Sequence, residues 1–526
     1  MRLLSRRGVL GLTAGAGAAV TVGAAGWSRL AGASTGRVLV SAGPPPQPFG
    51  VPLPVPPVAR PARRERGTDV YEVEQREGRV EILPGRRTTV WGYDGIFPGP
   101  TFTARSGRGA VLRVRNGLGV PTVTHLHGGI TPPESDGYPT DLLLPAGCAP
   151  GRVRGTRIRG TRTHDGMAGD VPDGRVAVGY RDYAYPLPQR AATLWYHDHR
   201  MDFSAPQVWR GLAGFFLVHD EEEDRLPLPG GDRDIPLMLC DRSFEEDGSF
   251  RYPGPGRVHD AFPDGVLGDV QLVNGAPWPV LEVSATRHRF RLLNASNARR
   301  YQLTLEAGQG PRAEFLQVGS DGGLLPAPRP LRTVTLAPGE RADVVVDFGG
   351  HPLGTRVTLR NTAARGGMRD VMRFDVLRGG RDDSRVPPRL AASYEHLAPS
   401  ADMPVRAFDF RRTNAGEDRA LWTVNGRPFD PRTDLAAPRL GTVERWRFSS
   451  DFHHPVHVHL AQFQVAARGG RPPAASDAGW KDTVDVRPYE VVEVLVRFAG
   501  YRGRYMLHCH NLEHEDMAMM GNFRVV

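Results

Sequence analysis

The sequence predicts an all-β protein of three similar domains, and three observations carry this. Short stretches of alternating apolar and polar residues recur from Asp69 onward, among them Ala110-Val111-Leu112-Arg113-Val114, Arg289-Phe290-Arg291-Leu292-Leu293 and Val491-Val492-Glu493-Val494-Leu495-Val496. Period two between Gly, Pro, Asn and Asp turns is the pattern of an antiparallel sandwich or barrel. No long segment repeats with the ~3.6-residue period of an amphipathic helix, so helices should be few and short. A weak internal echo completes the argument: Phe97-Pro98-Gly99-Pro100, Val273-Asn274-Gly275 and Val424-Asn425-Gly426 each lead into an alternating strand.

Domain limits follow from composition. Residues 1–33 have a basic start (Arg2, Arg6, Arg7), a mildly apolar Ala/Gly stretch from Val9 to Ala25, and a small-x-small site at Ala31-Gly32-Ala33. This is the layout of an export signal. Ser5-Arg6-Arg7-Gly8-Val9-Leu10 resembles the twin-arginine form rather than the general secretory one, which implies a periplasmic, cell-surface or extracellular protein. Residues 34–68, with Pro44-Pro45-Pro46 and further prolines to Pro61, read as an extended, poorly packed linker arm. Acidic, Pro-rich text at 220–233 and Arg/Gly/Pro-rich text at 378–404 divide the rest into 69–225, 226–385 and 386–526.

The 526 residues carry a formal charge of +9, which taken alone suggests a nucleic-acid or membrane partner. Nine arginines and a single acid, Glu65, lie in residues 1–68, so the body from Asp69 on is nearly neutral. Cleavage after Ala33 would leave +5. We therefore expect no nucleic-acid partner, no stable membrane insertion and a monomer. Only one lysine occurs, Lys481. Three cysteines do not make a disulfide framework, although a single Cys148–Cys240 bridge stays open.

The histidines are the informative residues. Ten of 17 fall into four motifs: His125-Leu126-His127, His197-Asp198-His199, His454-Pro455-Val456-His457-Val458-His459, and His508-Cys509-His510 followed by His514. On a strand, residues i and i+2 face the same way, so each His-x-His offers two imidazoles to one side. Four such pairs supply eight neutral nitrogen donors, which a buried site without metal would not tolerate. In His508-Cys509-His510 the thiolate must point opposite to both imidazoles. It can hold one metal while they hold others, leaving a short covalent path for electrons. The Cys509 metal takes His454 and His514 as partners, with Met519 at a longer axial distance: the His₂Cys plus weak Met set of a blue-copper site. Zinc has no redox use for such a path. Met517 and Met520 are rival axial residues. His164, His219, His259, His288, His351, His396 and His453 match no motif.

These motifs, in this order, resemble the three-domain multicopper oxidases of the laccase family, in the branch of the bacterial spore-coat laccase, bilirubin oxidase and phenoxazinone synthase. Further text with that resemblance is Thr124-His125-Leu126-His127-Gly128-Gly129, Leu194-Trp195-Tyr196-His197-Asp198-His199, Gly319-Ser320-Asp321-Gly322-Gly323, Gly479-Trp480-Lys481-Asp482-Thr483 and Leu512-Glu513-His514-Glu515-Asp516. The resemblance implies three cupredoxin-like Greek-key β-barrel or sandwich domains and four copper ions. Type 1 copper would take His454, Cys509, His514 and axial Met519. Type 2 would take His125 and His457. The type 3 pair would take His127, His197, His199, His459, His508 and His510. The middle domain would space these sites and help shape the substrate site.

The implied reaction is one-electron oxidation of small phenolic or aromatic amine substrates, coupled to reduction of O₂ to water. His514 would present a solvent-facing ring edge where electrons arrive. Asp136 and Glu515 stand at the family's proton-relay positions, although Ser135-Asp136-Gly137 also reads as a plain turn. Asp198 would orient its neighbours. The rival activities are a metallo-oxidase for Fe(II) or Cu(I), and a scaffold of the cell envelope that has lost its copper. The insert at 142–170 holds only Met167, which speaks against a Cu(I) specialist, and the full ligand set speaks against the scaffold.

Overall fold

The computed structural model describes residues 35–148, 174–254, 257–414 and 420–526. The export signal, most of the 142–170 insert, His164 and Met167 lie outside the described residues. The rest is all-β, with a few short helices. Three pairs of sheets follow one another along the chain: five strands and four, then eight and five, then five and five. Each pair encloses an apolar core. In Gly109–Asn116, for example, Ala110, Leu112 and Val114 point inward while the residues between them do not. The middle core forms around Leu237, Phe290, Val344 and Phe374, and the last around Trp446, Phe448, Val494 and Phe523. No helix among the described residues is long and apolar enough to cross a membrane.

The sheets are not purely antiparallel, which corrects the expectation. Each unit contains two parallel pairs at corresponding places. One set is Thr68–Glu81 with Gly109–Asn116, Asp234–Phe244 with Arg287–Asn294, and Val405–Asn414 with Val443–Ser450. The other is Gly99–Arg105 with Ala213–His219, Val280–Ser284 with Asp370–Arg378, and Asp434–Ala436 with Met520–Val525. A parallel partner requires a long crossover, and here the chain crosses through the opposite sheet before it returns. The recurrence of the same two pairs gives the internal echo its structural meaning.

The Pro-rich arm is not a loose linker. Arg37–Val38 pairs in parallel with Val266–Leu267. Main-chain N–H groups of Ala42, Phe49 and Leu53 donate to Phe244, Trp278 and Val280, and Leu53 is buried in the middle core. Farther on, Ala59 and Ala62 donate to Thr101 and Val70 of the first unit. Proline cannot donate to a ladder, so it breaks the strand pattern, yet the residues between prolines still dock on sheet edges.

Buried ion pairs help to join the units. Between the first and the middle, Arg289 bridges Glu223 and Asp343 at 2.7 Å each, and Arg291 holds Asp234 at 2.7 Å, all of them buried or nearly so. The alternating strand Arg289–Leu293 therefore has no solvated face. Its arginine side is the seam. The acidic text at 220–233 forms the short helix Glu221–Asp224, whose Glu223 serves this network.

Cys148 and Cys240 are both free, the first exposed and the second buried, so no bridge joins them.

Candidate metal centre

Four strands bring the histidines together. Thr124–His127 runs antiparallel to Ala192–Asp198 with His125 opposite His197. His454–Val458 runs antiparallel to Gly503–Cys509 with His457 opposite His508. His199, His459 and His510 sit just past the strand ends, and their main-chain N–H groups donate to Val123, Met506 and Pro455 in turn. The two strand pairs face each other, and all eight imidazoles are buried. Donor atoms of His199, His459 and His508 lie within 4.8 Å of one another, as do those of His125, His457 and His459, and of His125, His127 and His197. The His510 ring lies 4.9 Å from that of His127 and 5.3 Å from that of His197.

Hydrogen bonds set which nitrogen stays free in six of the eight rings. Nδ1–H groups of His125, His197, His457 and His508 donate to the carbonyls of Asp136, Asp198, Asp482 and Cys509, at 2.5, 2.9, 2.9 and 3.1 Å. His459 Nδ1 donates to the Asp136 carboxylate at 2.7 Å. His127 is reversed: its Nε2 donates to Asp482 Oδ1 at 2.9 Å. The opposite nitrogens of His125, His127, His197 and His457 have no hydrogen-bond partner, and neither nitrogen of His510 has one. Buried lone pairs left open in this way are expensive unless a cation takes them. Burial also keeps the rings neutral. It pushes His197 down to about 3 and His199 to about 4, and holds His125, His127, His459 and His510 well below the ordinary value.

A second group lies on the other face of Gly503–Cys509. Cys509 Sγ stands 3.3 Å from His454 Nδ1 and 3.7 Å from His514 Nδ1, and these two nitrogens are 3.1 Å apart. Ligands of one trigonal metal at ~2.1 Å would stand ~3.6 Å apart, so the triad fits a single ion. Burial pushes the Cys509 thiol well above its ordinary value, and a bound metal would deprotonate it. Met519 and Met517 pack in the same core cluster as Cys509. Met520 packs elsewhere, with Tyr138, Phe429 and Met506, which removes it as an axial rival.

Two family models, both described as multicopper oxidase, match this chain at residues 403–526 and at 74–146 with 152–223. The chain belongs to the multicopper oxidase family. A laccase of Bacillus subtilis is 34% identical over 89% of this chain and 96% of its own length. A bilirubin oxidase of Albifimbria verrucaria is 33% identical over 90% of this chain and 81% of its own. Among solved structures, a laccase of Pediococcus acidilactici aligns with a TM-score of 0.77 and 30% identity, over 93% of this chain and 96% of that one. As a multicopper oxidase the protein is a copper-dependent oxidoreductase that uses oxygen. The metallo-oxidase and scaffold alternatives are not favoured.

Three buried carboxylates, Asp136, Asp198 and Glu515, lie against the histidines. Asp136 is more than a turn residue: it touches His459 through its carboxylate and His125 through its carbonyl, and burial pushes it up to about 8. Glu515 lies 3.2 Å from His508 Nδ1 and 3.6 Å from His199 Nδ1 and accepts from Ser204 Oγ at 2.5 Å. Asp198 is a brace, accepting from the main-chain N–H groups of Val123 and Arg200 and from Gln207.

His514 departs from the expectation. Its ring has no solvent-facing edge. Trp422 stacks on it at 3.8 Å between centroids, Asp264 meets it through the main chain, and Asn511 Nδ2 is 3.3 Å from its Nε2. Arg412 lies over the Trp422 ring and pairs with Asp264 at 3.3 Å. Of these, Trp422, Asp264 and Arg412 come from a loop and a hairpin that no histidine motif announces.

Sequence reasoning also missed Asp482. It accepts from His127 Nε2, Thr483 Oγ1 and Arg341, and its carbonyl holds His457. The signal was present: Asp482 follows the single lysine of an arginine-rich chain, within text already matched to the family.

Proposed function

We propose that four copper ions occupy this centre and couple the oxidation of phenolic or aromatic amine donors to reduction of O₂ to water. Type 1 copper would be held by His454, Cys509, His514 and Met519. Type 2 belongs on His125 and His457. The type 3 pair belongs on His127, His197 and His510 and on His199, His459 and His508. The observation that carries this reading is the single strand Gly503–Cys509, which turns a thiol to a trigonal nitrogen pair on one face and an imidazole to the histidine cage on the other. Bound copper supplies one-electron acceptance at the thiolate and the multi-electron chemistry of oxygen within the cage.

The chain's own residues do the rest. Cys509 and its peptide neighbours His508 and His510 link the two sites covalently. Asp136 holds a proton at the cage and Glu515, kept ionised by its neighbours His199 and His508, accepts one: each reaches a ligand imidazole directly, as a relay group must. His514 receives the electrons, through a wall of Trp422, Asp264 and Arg412 rather than at a bare edge. Similarity to laccases and a bilirubin oxidase supports aromatic donors over metal ions. We further propose that the chain is exported folded through its twin-arginine-like leader and works as a monomer.

An oxygen-uptake panel tests the reading. Phenols, aromatic amines and bilirubin should drive uptake by the copper-loaded protein with little peroxide formed, and Fe(II) and Cu(I) should be poor donors. Uptake with Fe(II) or Cu(I) alone would overturn the substrate class.

A further inference from the structure

Two family-like segments, Gly319–Gly323 and Gly479–Thr483, contain no histidine or cysteine, and they meet in one buried network. Asp321 and Glu340 of the middle domain flank Lys481 of the last at 3.0 and 3.2 Å. Beside them Arg341 of the middle domain grips Asp482 with both ends of its guanidinium, Nη1 to Oδ1 at 2.7 Å and Nη2 to Oδ2 at 2.5 Å. Its remaining donors go to main-chain carbonyls of Thr193, Gly339 and Asp321. Burial disfavours the Asp482 charge, yet Arg341 and His127 hold the carboxyl well below its usual range. That carboxylate in turn orients His127, and its main chain orients His457. The approach is close on both sides. A Cβ on Gly339 would lie 3.0 Å from His510 Cδ2 and 3.1 Å from His127 Cε1, and one on Gly128 would lie 2.6 Å from Arg341 Nη2.

We propose that the middle domain, which contributes no ligand, positions the cage through Arg341. The fork fixes the Asp482 carboxylate, Asp482 turns His127 so that Nδ1 faces inward, and its carbonyl turns His457 so that Nε2 does. Arg341 is thereby a positioning residue for the type 2 copper and the neighbouring type 3 ion, and does not touch the type 1 site. The inference rests on the ligand assignment proposed above. A bidentate fork is not replaceable by the point charge of lysine, and outer partners of ligand imidazoles govern metal affinity by ~10–100-fold.

The test compares R341K, R341Q and G339A with the parent, all copper-loaded, by copper content, the type 2 paramagnetic resonance signal, the blue band and release of copper to a competing chelator. R289Q, which breaks the other seam, is the control, and near-ultraviolet circular dichroism reports the fold. We expect R341K and G339A to lose type 2 copper to chelator at ~10–100-fold lower concentration while the blue band persists. R289Q should keep the signal. R341K and G339A both retaining parental copper affinity would overturn the proposal, as would equal loss in R289Q, which would reduce Arg341 to a docking contact. A parent protein with a blue band but no type 2 signal would instead overturn the ligand assignment, and the inference with it.

Discussion

His454, Cys509 and His514 all come from the last domain, the latter two five residues apart, on elements that share one core. The eight cage histidines come half from the first domain and half from the last, and they meet where the middle domain's Gly339–Arg341 turn presses on them. The thiolate triad is thus a product of one sandwich folding. The cage is a product of three units docking. Local construction resists disturbance elsewhere in the chain, whereas construction across seams transmits it. The same difference appears in the hydrogen bonds: the triad's Nδ1 atoms turn toward one sulfur of their own domain, while His127 and His459 of the cage each donate to a carboxylate across the seam, Asp482 and Asp136.

The sharpest way to break this comparison is to remove one donor from each group. Cys509→Ser should abolish the blue band and turnover together. His125→Ala should abolish oxygen uptake and leave the blue band intact, read by absorption and uptake on the same preparation. A His125→Ala protein that is colourless would mean the two sites do not form independently. Next in size is Asp136→Asn. The amide oxygen still accepts from His459 but the group no longer exchanges a proton, so oxygen reduction should fall ~10²–10⁴-fold. Bleaching of the blue band by a reductant without oxygen should keep its rate. A slowed bleach would place Asp136 on the wrong side of the comparison.

The smallest effect concerns acid and the copper-free protein. Burial holds His197 at about 3, below its ordinary value of ~6.5, and lowers His454 as well. The unfolded chain then binds more protons than the folded one below pH ~6.5, so stability is full above that pH and is lost as pH falls. Each such ring adds a slope of up to ~1.4 kcal/mol per pH unit. Seven cage rings, His125, His127, His197, His199, His457, His459 and His510, are lowered, against two at the triad, His454 and His514. Urea midpoints between pH 7 and about 4 should therefore flatten more in His197→Ala than in His454→Ala. Equal slopes would erase the distinction.

What the sequence disclosed follows the same division. Period-two strands and His-x-His pairs are local, so the all-β class and the gathered histidines could be read directly. Arg341 and Asp482 are 141 residues apart, and nothing near either residue predicts that they meet. The same holds for Trp422 against His514, which come from a hairpin and a helix with no shared motif. The parallel pairs were hidden because alternation gives a strand's faces and not the direction of its neighbour. The arm was misread because proline masks a strand pattern without preventing edge contacts, and Leu53 is where that masking mattered most.

The arm also leaves the chain little slack at its front end. Arg37 is already paired with Val266, two residues beyond the Asp264 that lies against His514. Cleavage after Ala33 would put the new chain end, Ser34, only three residues before Arg37, a reach of at most ~11 Å at full stretch. Anything fused ahead of it, such as a purification handle, is leashed beside the wall through which electrons arrive.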